Sequence, residues 1–446
     1  MLQPKSLDDG VQLTIAESTA DFHLLSGNEV HEAADSRPYI PELPVTDSKA
    51  SAIALKITLF PNHGFCIGIS AHHAVLDGKS STMFIKAWAH FCKLGDEDKR
   101  QYPALLTELT PVFDRIAIQD PEGLDMVFLN NWLELKWPGV DLNPRSLQLL
   151  PAIAVRSSSV RATFELSRED IKKLRERVLA NLVKEGSKET HPIHLSTFVL
   201  VLAHGFVCIV KARGFESNRK VFIGFAVDCR ARLDPPIHEN YVGNCVSSCA
   251  AFTEAESLLE ENGFMHVAEM LSELIKNLEK GVLDGAKENL ASFLKEGAGG
   301  AALLGVAGSN RFEVYGTDFG WGKPEKVEIT SIDRTGAISL AESKDGNGGV
   351  EIGLVLEKHA MEKFNNELQE LRRVLVFLCD STFKTIDKTV AFCGHAFKYT
   401  VIAVLFCFQF VVFVPCAVGW MFGLMLTGQM DREIKRLGKR PILQGF

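Results

Sequence analysis

Among the side chains that can move a proton at neutral pH, His73 stands in the most suggestive surroundings. The run from Phe65 to Lys79 carries His72, His73, Asp77 and Gly78. An imidazole titrates near neutrality and can act as a general base there. The residues before it alternate around Ile67 and Ile69, which predicts a strand. After Asp77 and Gly78, a turn signal, comes an amphipathic run over 80–93. Met83, Phe84, Ala87, Trp88 and Phe91 recur there at helical spacing. His73 therefore falls where a buried strand stops and a turn begins, held rigidly yet open to a cleft. Asp77, four residues on, can hold the turn or orient the imidazole. His72 is the rival base. On an alternating strand the two histidines face opposite sides, so only one lines a given cleft.

Three further constellations follow. Asp228, Arg230, Arg232, Pro235 and Pro236 form D-x-R-x-R-x-x-P-P; Tyr241, Gly243, Asn244 and Cys245 form Y-x-G-N-C; Asp318, Phe319, Gly320, Trp321 and Gly322 form D-F-G-W-G. With H-x-x-x-D-G before them, and in this order, these elements closely resemble the plant BAHD acyltransferases over about residues 10–375. The residues around them (72–77, 81–88 and 311–318) look most like the branch that malonylates phenolic and flavonoid glucosides.

The resemblance implies acyl transfer from a coenzyme A thioester to an alcohol or amine, and its malonylating branch implies a sugar hydroxyl of a phenolic or flavonoid glycoside. Malonyl-CoA is the implied cosubstrate, with acetyl-CoA or another acyl donor as the alternative. No bound cofactor and no metal are implied. His73 removes the acceptor proton as the oxygen attacks the thioester carbonyl, and no acyl-enzyme is required. Asp77, in this picture, points away from substrate and shapes the turn. Asp318 pairs with Arg230 or Arg232, which makes Asp318, Gly320, Trp321 and Gly322 architectural. Tyr241 to Cys245 read as backbone architecture. The malonyl carboxylate needs a cation. Lys79 is one candidate, and whichever arginine is free of Asp318 is another; a solvated helix-start lysine is the other reading of Lys79. Ser196 and Thr197 open a buried helix that can meet the anionic coenzyme, or simply cap it. Ser309 and Asn310 stand where some relatives carry a tryptophan, which speaks against a hydroxycinnamoyl donor.

At 446 residues the chain has room for two sizeable domains. A net charge of -8 argues against nucleic acid as main partner, and a cleft for coenzyme A must be locally basic. The ten cysteines show no paired metal spacing; buried reduced thiols are expected. The first residues carry no secretory signal.

Strands are predicted at 11–15, 52–60, 160–166 and 220–229, with a 52–60 hairpin into the His73 strand. A helix or turn is predicted over 18–25 and a proline-punctuated loop over 28–44. Helices are predicted at 167–186, 196–213 (buried, being apolar all round), 253–259, 264–282 and 358–374. Short strands with glycine-rich turns are expected over 311–356. Residues 101–155 lack periodicity and read as a crossover, tethered by Phe128, Trp132 and Trp137. Intermixed strands and helices argue for an α/β (α+β) body. The resemblance refines this to two chloramphenicol-acetyltransferase-like domains with a channel between them. They span 1–145 and 160–376, joined by a crossover loop at 146–159. His73 arrives early for the family, so the first domain is expected to be incomplete, with an exposed sheet edge.

Residues 377–446 lie beyond the resemblance. The uncharged run 399–430 is long enough to cross a bilayer. A cytoplasmic monomer is implied by resemblance, with membrane association through this segment as a further expectation. A truncated, non-catalytic, membrane-associated scaffold is the alternative of another class.

Overall fold

Two alternating apolar runs joined by a three-residue turn fold back as a hairpin, β3 (Ile53–Phe60) with β4 (Gly64–Ala71). The antiparallel register runs from Ile53 opposite Ala71 to Phe60 opposite Gly64. β1 (Gln12–Glu17) adds to β3 in parallel, giving the order β1-β3-β4. These elements come from a computed structural model, which describes residues 10–94, 105–120, 122–134, 147, 158–184, 193–288, 292 and 300–370. The sheets and the site all lie in the compact unit that runs to Phe364.

A five-stranded sheet has the order β2-β5-β11-β10-β9. Its strands are β2 (His31–Glu32), β5 (Ser159–Leu166), β9 (Val306–Gly308), β10 (Ile338–Glu342) and β11 (Val350–Glu357). β11 is central and buried along almost its whole length. The third sheet has the order β7-β6-β8: β6 (Lys220–Asp228), β7 (Val246–Glu254) and β8 (Ala302–Leu304).

α1 (Phe22–Ser26) is capped by Asp21, and α2 (Gly78–Lys93) follows the His73 turn. α3 (Leu124–Glu134) and α4 (Arg168–Lys184) come next. α5 (Thr197–Arg213) is buried on nearly every side, as its all-round apolar composition predicts. Ser196 caps it at the start. Gly214 ends it in the left-handed conformation (φ 62°), with Lys211 and Arg213 in the last turn. α6 (Ala255–Leu259) and α7 (Gly263–Asn277) pack against it. A separate cluster of Ile53, Leu55, Leu76, Met83, Phe84 and Val242 forms the floor beneath the His73 turn.

Two expectations fail for physical reasons. β7 replaces the predicted start of a helix at 253, which begins only at Ala255. Its residues, Val-Ser-Ser-Cys-Ala-Ala-Phe-Thr-Glu, show no clean alternation. Full pairing with β6, from Lys220 opposite Glu254 to Asp228 opposite Val246, outweighs weak local preference. Residues 311–335 form no strands either. They make a 3-10 turn at Val314–Gly316 and a helical turn at Ile332–Thr335.

That 3-10 turn is anchored by two carboxylates. The Tyr315 hydroxyl donates to Glu351 on β11 at 2.7 Å, and its N–H donates to Glu342 on β10 at 2.7 Å. Burial pushes the Glu351 carboxyl above its ordinary value. Tyr315→Phe removes the hydroxyl and leaves a buried carboxylate short of a donor. The expected loss is about 1–3 kcal/mol of unfolding free energy, read by urea denaturation.

Phe128 is 44% exposed, so it is no buried tether. The Trp132 side chain, Trp137, the end of the 167–186 helix and nearly all of 146–159 lie outside the described residues. So does the tail 377–446 with its 399–430 run. No helix among the described residues is long and apolar enough to cross a membrane.

Candidate active site

The strand stops just before the histidines. His72 N–H still donates to Ala52 O at 2.8 Å, and the chain then turns, with Val75 N–H donating to His72 O at 2.8 Å. His72 is buried and His73 exposed, although both lie past Ala71, the last strand residue. Nδ1 of His72 accepts from Ala74 N–H at 3.2 Å, and Nε2 lies 3.2 Å from Leu147 O. One tautomer satisfies both: neutral, with the hydrogen on Nε2. Both ring nitrogens of His72 are therefore engaged inside the protein. His73 is the histidine that faces outward.

Asp77 caps α2. Its Oδ1 accepts from Ser80 N–H at 2.8 Å, and its Oδ2 accepts from Cys245 N–H at 3.1 Å and from Arg230 Nη2 at 2.7 Å. Asp77 and Arg230 are 2% and 1% exposed. Arg230, delivered just past the end of β6, reaches much further. Nη1 donates to Asp228 at 2.8 Å, and Nε to Tyr241 O at 3.1 Å. Nη2 also lies 3.0 Å from both Tyr241 O and Gly243 O and 3.1 Å from Ser80 Oγ. The Ser80 hydroxyl in turn bridges the carbonyl and the N–H of Gly243. One buried guanidinium thus ties the H-x-x-x-D-G, D-x-R and Y-x-G-N-C elements together. Val112 brackets the last of these, exchanging backbone bonds with Asn240 and Val242 at 3.0 and 2.9 Å.

The expected pairing of Asp318 with Arg230 or Arg232 is not what the structure has. Asp318 binds Lys93 at 2.6 Å and the N–H groups of Gly320 and Gly322 at 2.8 and 3.0 Å. The Lys93 bond and these amides hold its carboxyl below the ordinary value. The reason is burial. Asp77 lies in the interior and needs a cation there; Asp318 lies on a loop whose own amides serve it. Arg232 is exposed and donates to Asp228 O at 2.8 Å.

The D-F-G-W-G loop closes a strap along α2. Phe312 covers Gly78, where a Cβ would lie 2.9 Å from its ring. Glu313 meets Lys86 at 3.7 Å. Phe319 stands edge-on to Trp88 at 5.0 Å, and Trp321 edge-on to Phe65 at 5.3 Å. Gly320 and Gly322 take φ of 98° and 103°, which a side chain would strain.

The remaining candidates are placed as follows. Lys79 lies 3.4 Å from Asp228 Oδ2. Burial pushes the Asp228 carboxyl up, but bonds from Arg230 and the charge of Lys79 outweigh it and leave the value lowered. Ser196 accepts from Val199 N–H at 3.3 Å as the α5 cap, and Thr197 is the first helical residue. The Ser309 hydroxyl accepts from Arg311 N–H at 3.2 Å. Neither Ser196, Thr197 nor Ser309 is brought to the His73 turn by a bond among the described residues. Cys229, Cys245 and Cys249 are buried free thiols; burial pushes Cys229 up to about 12, which keeps it unreactive. No group of three His, Cys, Asp or Glu among the described residues is arranged to hold a metal ion. Ser80 has a place in this network that the sequence did not suggest, and Asp228, there only a member of its motif, is an acceptor for Arg230. A hydroxyl one helical turn past a capping Asp was the available signal for Ser80.

Residues 6–371 match the model of the Transferase family. Phenolic glucoside malonyltransferase 1 of Arabidopsis thaliana is 45% identical over 368 residues, 80% of this chain and 76% of the relative. Malonyl-CoA:anthocyanidin 5-O-glucoside-6''-O-malonyltransferase of the same plant is 43% identical, covering 80% and 77%. A BAHD acyltransferase from that organism is 37% identical, covering 80% and 76%. Among solved structures, vinorine synthase superposes with a TM-score of 0.55 at 21% identity, covering 80% of this chain and 75% of that one. Residues that couple a turn-borne histidine to a buried Asp–Arg pair, and a family match over most of the length, agree: the chain belongs to the Transferase family of BAHD acyltransferases.

Proposed function

We propose that this protein transfers the malonyl group of malonyl-CoA to a sugar hydroxyl of a phenolic or flavonoid glucoside. The observation that carries the mechanism is the His73 turn: an outward imidazole on a rigid strand end, beside a fully engaged Asp77. His73 takes the proton of the acceptor hydroxyl while its oxygen attacks the thioester carbonyl. The tetrahedral intermediate collapses, the C–S bond breaks, and the proton passes from His73 to the coenzyme A thiolate. General-base help of this kind is worth about 10²–10⁴-fold. Asp77 works through the backbone of the turn, since both its oxygens are occupied by Ser80, Cys245 and Arg230. Lys79 and Arg232, flanking Asp228, are the cations offered to the malonyl carboxylate. The division into two acyltransferase domains at 146–159, with the turn in a channel between them, belongs to this reading. The substrate class is supported by the malonyltransferase relatives that act on phenolic and anthocyanidin glucosides.

A relative 39% identical is an agmatine coumaroyltransferase, which favours a second reading with another donor and an amine acceptor. Thiol release should be followed with malonyl-, acetyl- and coumaroyl-CoA, each against a phenolic glucoside and agmatine. The expected result is a kcat/KM at least about tenfold higher for malonyl-CoA with the glucoside, a difference of about 1.4 kcal/mol. A preference for coumaroyl-CoA with agmatine would replace the malonyl reading by the second.

A further inference from the structure

The turn contains one peptide plane held at both of its polar ends. It is the bond between His73 and Ala74. Its carbonyl oxygen, that of His73, accepts from the side-chain amide of Asn244. Its N–H, that of Ala74, donates to Nδ1 of His72 at 3.2 Å. Both holders are themselves fixed. Asn244 precedes Cys245, whose N–H binds Asp77, and follows Gly243, whose backbone is bridged by Ser80. His72 is buried, and its other nitrogen faces Leu147 O at 3.2 Å.

The peptide plane that follows a residue sets its ψ and so helps set where its side chain points. A turn residue with an exposed ring has few packing contacts to do that work. We infer that Asn244 and His72 are positioning residues for His73: together they clamp the His73–Ala74 peptide and aim the imidazole at the acceptor hydroxyl. In this role Asn244 acts through the backbone carbonyl of His73. This inference rests on the reading of His73 as the base, and it assigns the Y-x-G-N-C asparagine a task that backbone architecture alone would leave to any small residue. A displacement of about 1 Å at a reacting group can lower a rate about 10²-fold, so loss of one jaw falls on kcat.

The test uses the full chain, with malonyl-CoA and a phenolic glucoside. Asn244→Ala and the near-isosteric Asn244→Asp, which lacks the amide donor, are compared with the parent and with His73→Ala. Both Asn244 variants are expected to lose about 10- to 100-fold in kcat. Both KM values should stay within about twofold, and the melting temperature within a few degrees, because Asn244 is exposed. The buried jaw is probed by His72→Asn, whose side-chain oxygen can still accept from Ala74, against His72→Leu, which cannot; the first should keep the greater kcat. Parent-like kcat in Asn244→Asp would overturn the clamp, as would a loss carried wholly by KM or by unfolding. If His73→Ala itself turns over like the parent, the base assignment fails instead, and the two failures are told apart.

Discussion

His73→Ala is expected to lower kcat for malonyl transfer by about 10²–10⁴-fold while leaving the fold intact. The two halves of that expectation come from different observations. The chemical half follows from the exposed ring at the end of β4, with His72 excluded as base because both of its nitrogens are engaged within the protein. The structural half follows from the same exposure. Among the described residues the His73 ring has no hydrogen-bond partner, and substitutions at such sites usually move stability by less than about 0.5 kcal/mol. Thiol release under saturating malonyl-CoA, paired with a thermal melt, measures both. A variant that folds and turns over at the parent rate would remove His73 from the mechanism, and the attacking oxygen would need another base.

Arg230→Met carries the larger structural penalty. It removes the only charge that neutralises Asp77 in the described network, and it takes from the Tyr241 carbonyl its Arg230 donors, while the Gly243 carbonyl keeps the Ser80 hydroxyl. Breaking a buried ion pair from one side costs about 3–5 kcal/mol, because the remaining charge stays desolvated. Loss of activity should accompany the loss of stability, since the capped start of α2 and the His73 turn share Asp77. The control is Arg232→Met. That guanidinium is exposed, and its removal should change stability by less than about 0.5 kcal/mol. Urea denaturation of the two variants side by side is decisive: equal midpoints would mean that the Asp77–Arg230 pair is not what holds the turn.

How far the sequence led depends on whether the deciding physics was local. The β3–β4 hairpin was legible because Ile53 to Phe60 and Gly64 to Ala71 alternate around a tight turn. α5 was legible from its apolar residues, with Ser196 before it and Gly214 after it. Which of His72 and His73 is buried was not legible, since both lie in the turn past β4 and one partner of the His72 ring, Leu147 O, is far along the chain. The partner of Asp318 was misread for the same reason. Two arginines, Arg230 and Arg232, sit two residues apart in one motif. Only the path of β6 decides that the first enters the interior, toward Asp77, while the second stays outside. β7 escaped notice because its strand character comes from β6 and not from its own residues. The roles of Asn244 and Ser80 were invisible as single letters: each is defined by a backbone group of a distant motif.

The span of those contacts has a consequence for how the chain folds. Arg230 and Asp77 are 153 residues apart, Ser80 and Gly243 are 163 apart, and Asn244 and His73 are 171 apart. Joining two points across such a length carries a chain-entropy penalty whose length-dependent part is about 4 kcal/mol. That penalty is met once. After Arg230 reaches Asp77, the bonds of Ser80 and Asn244 close loops whose ends are already together. Early events are then confined to short-range structure such as the β3–β4 hairpin, and non-local contacts of this kind slow the search. The turn that bears His73 has local bonds of its own, but the holds from Arg230 and Asn244 come only when the distant segment arrives, so full catalytic competence is expected to come late in folding.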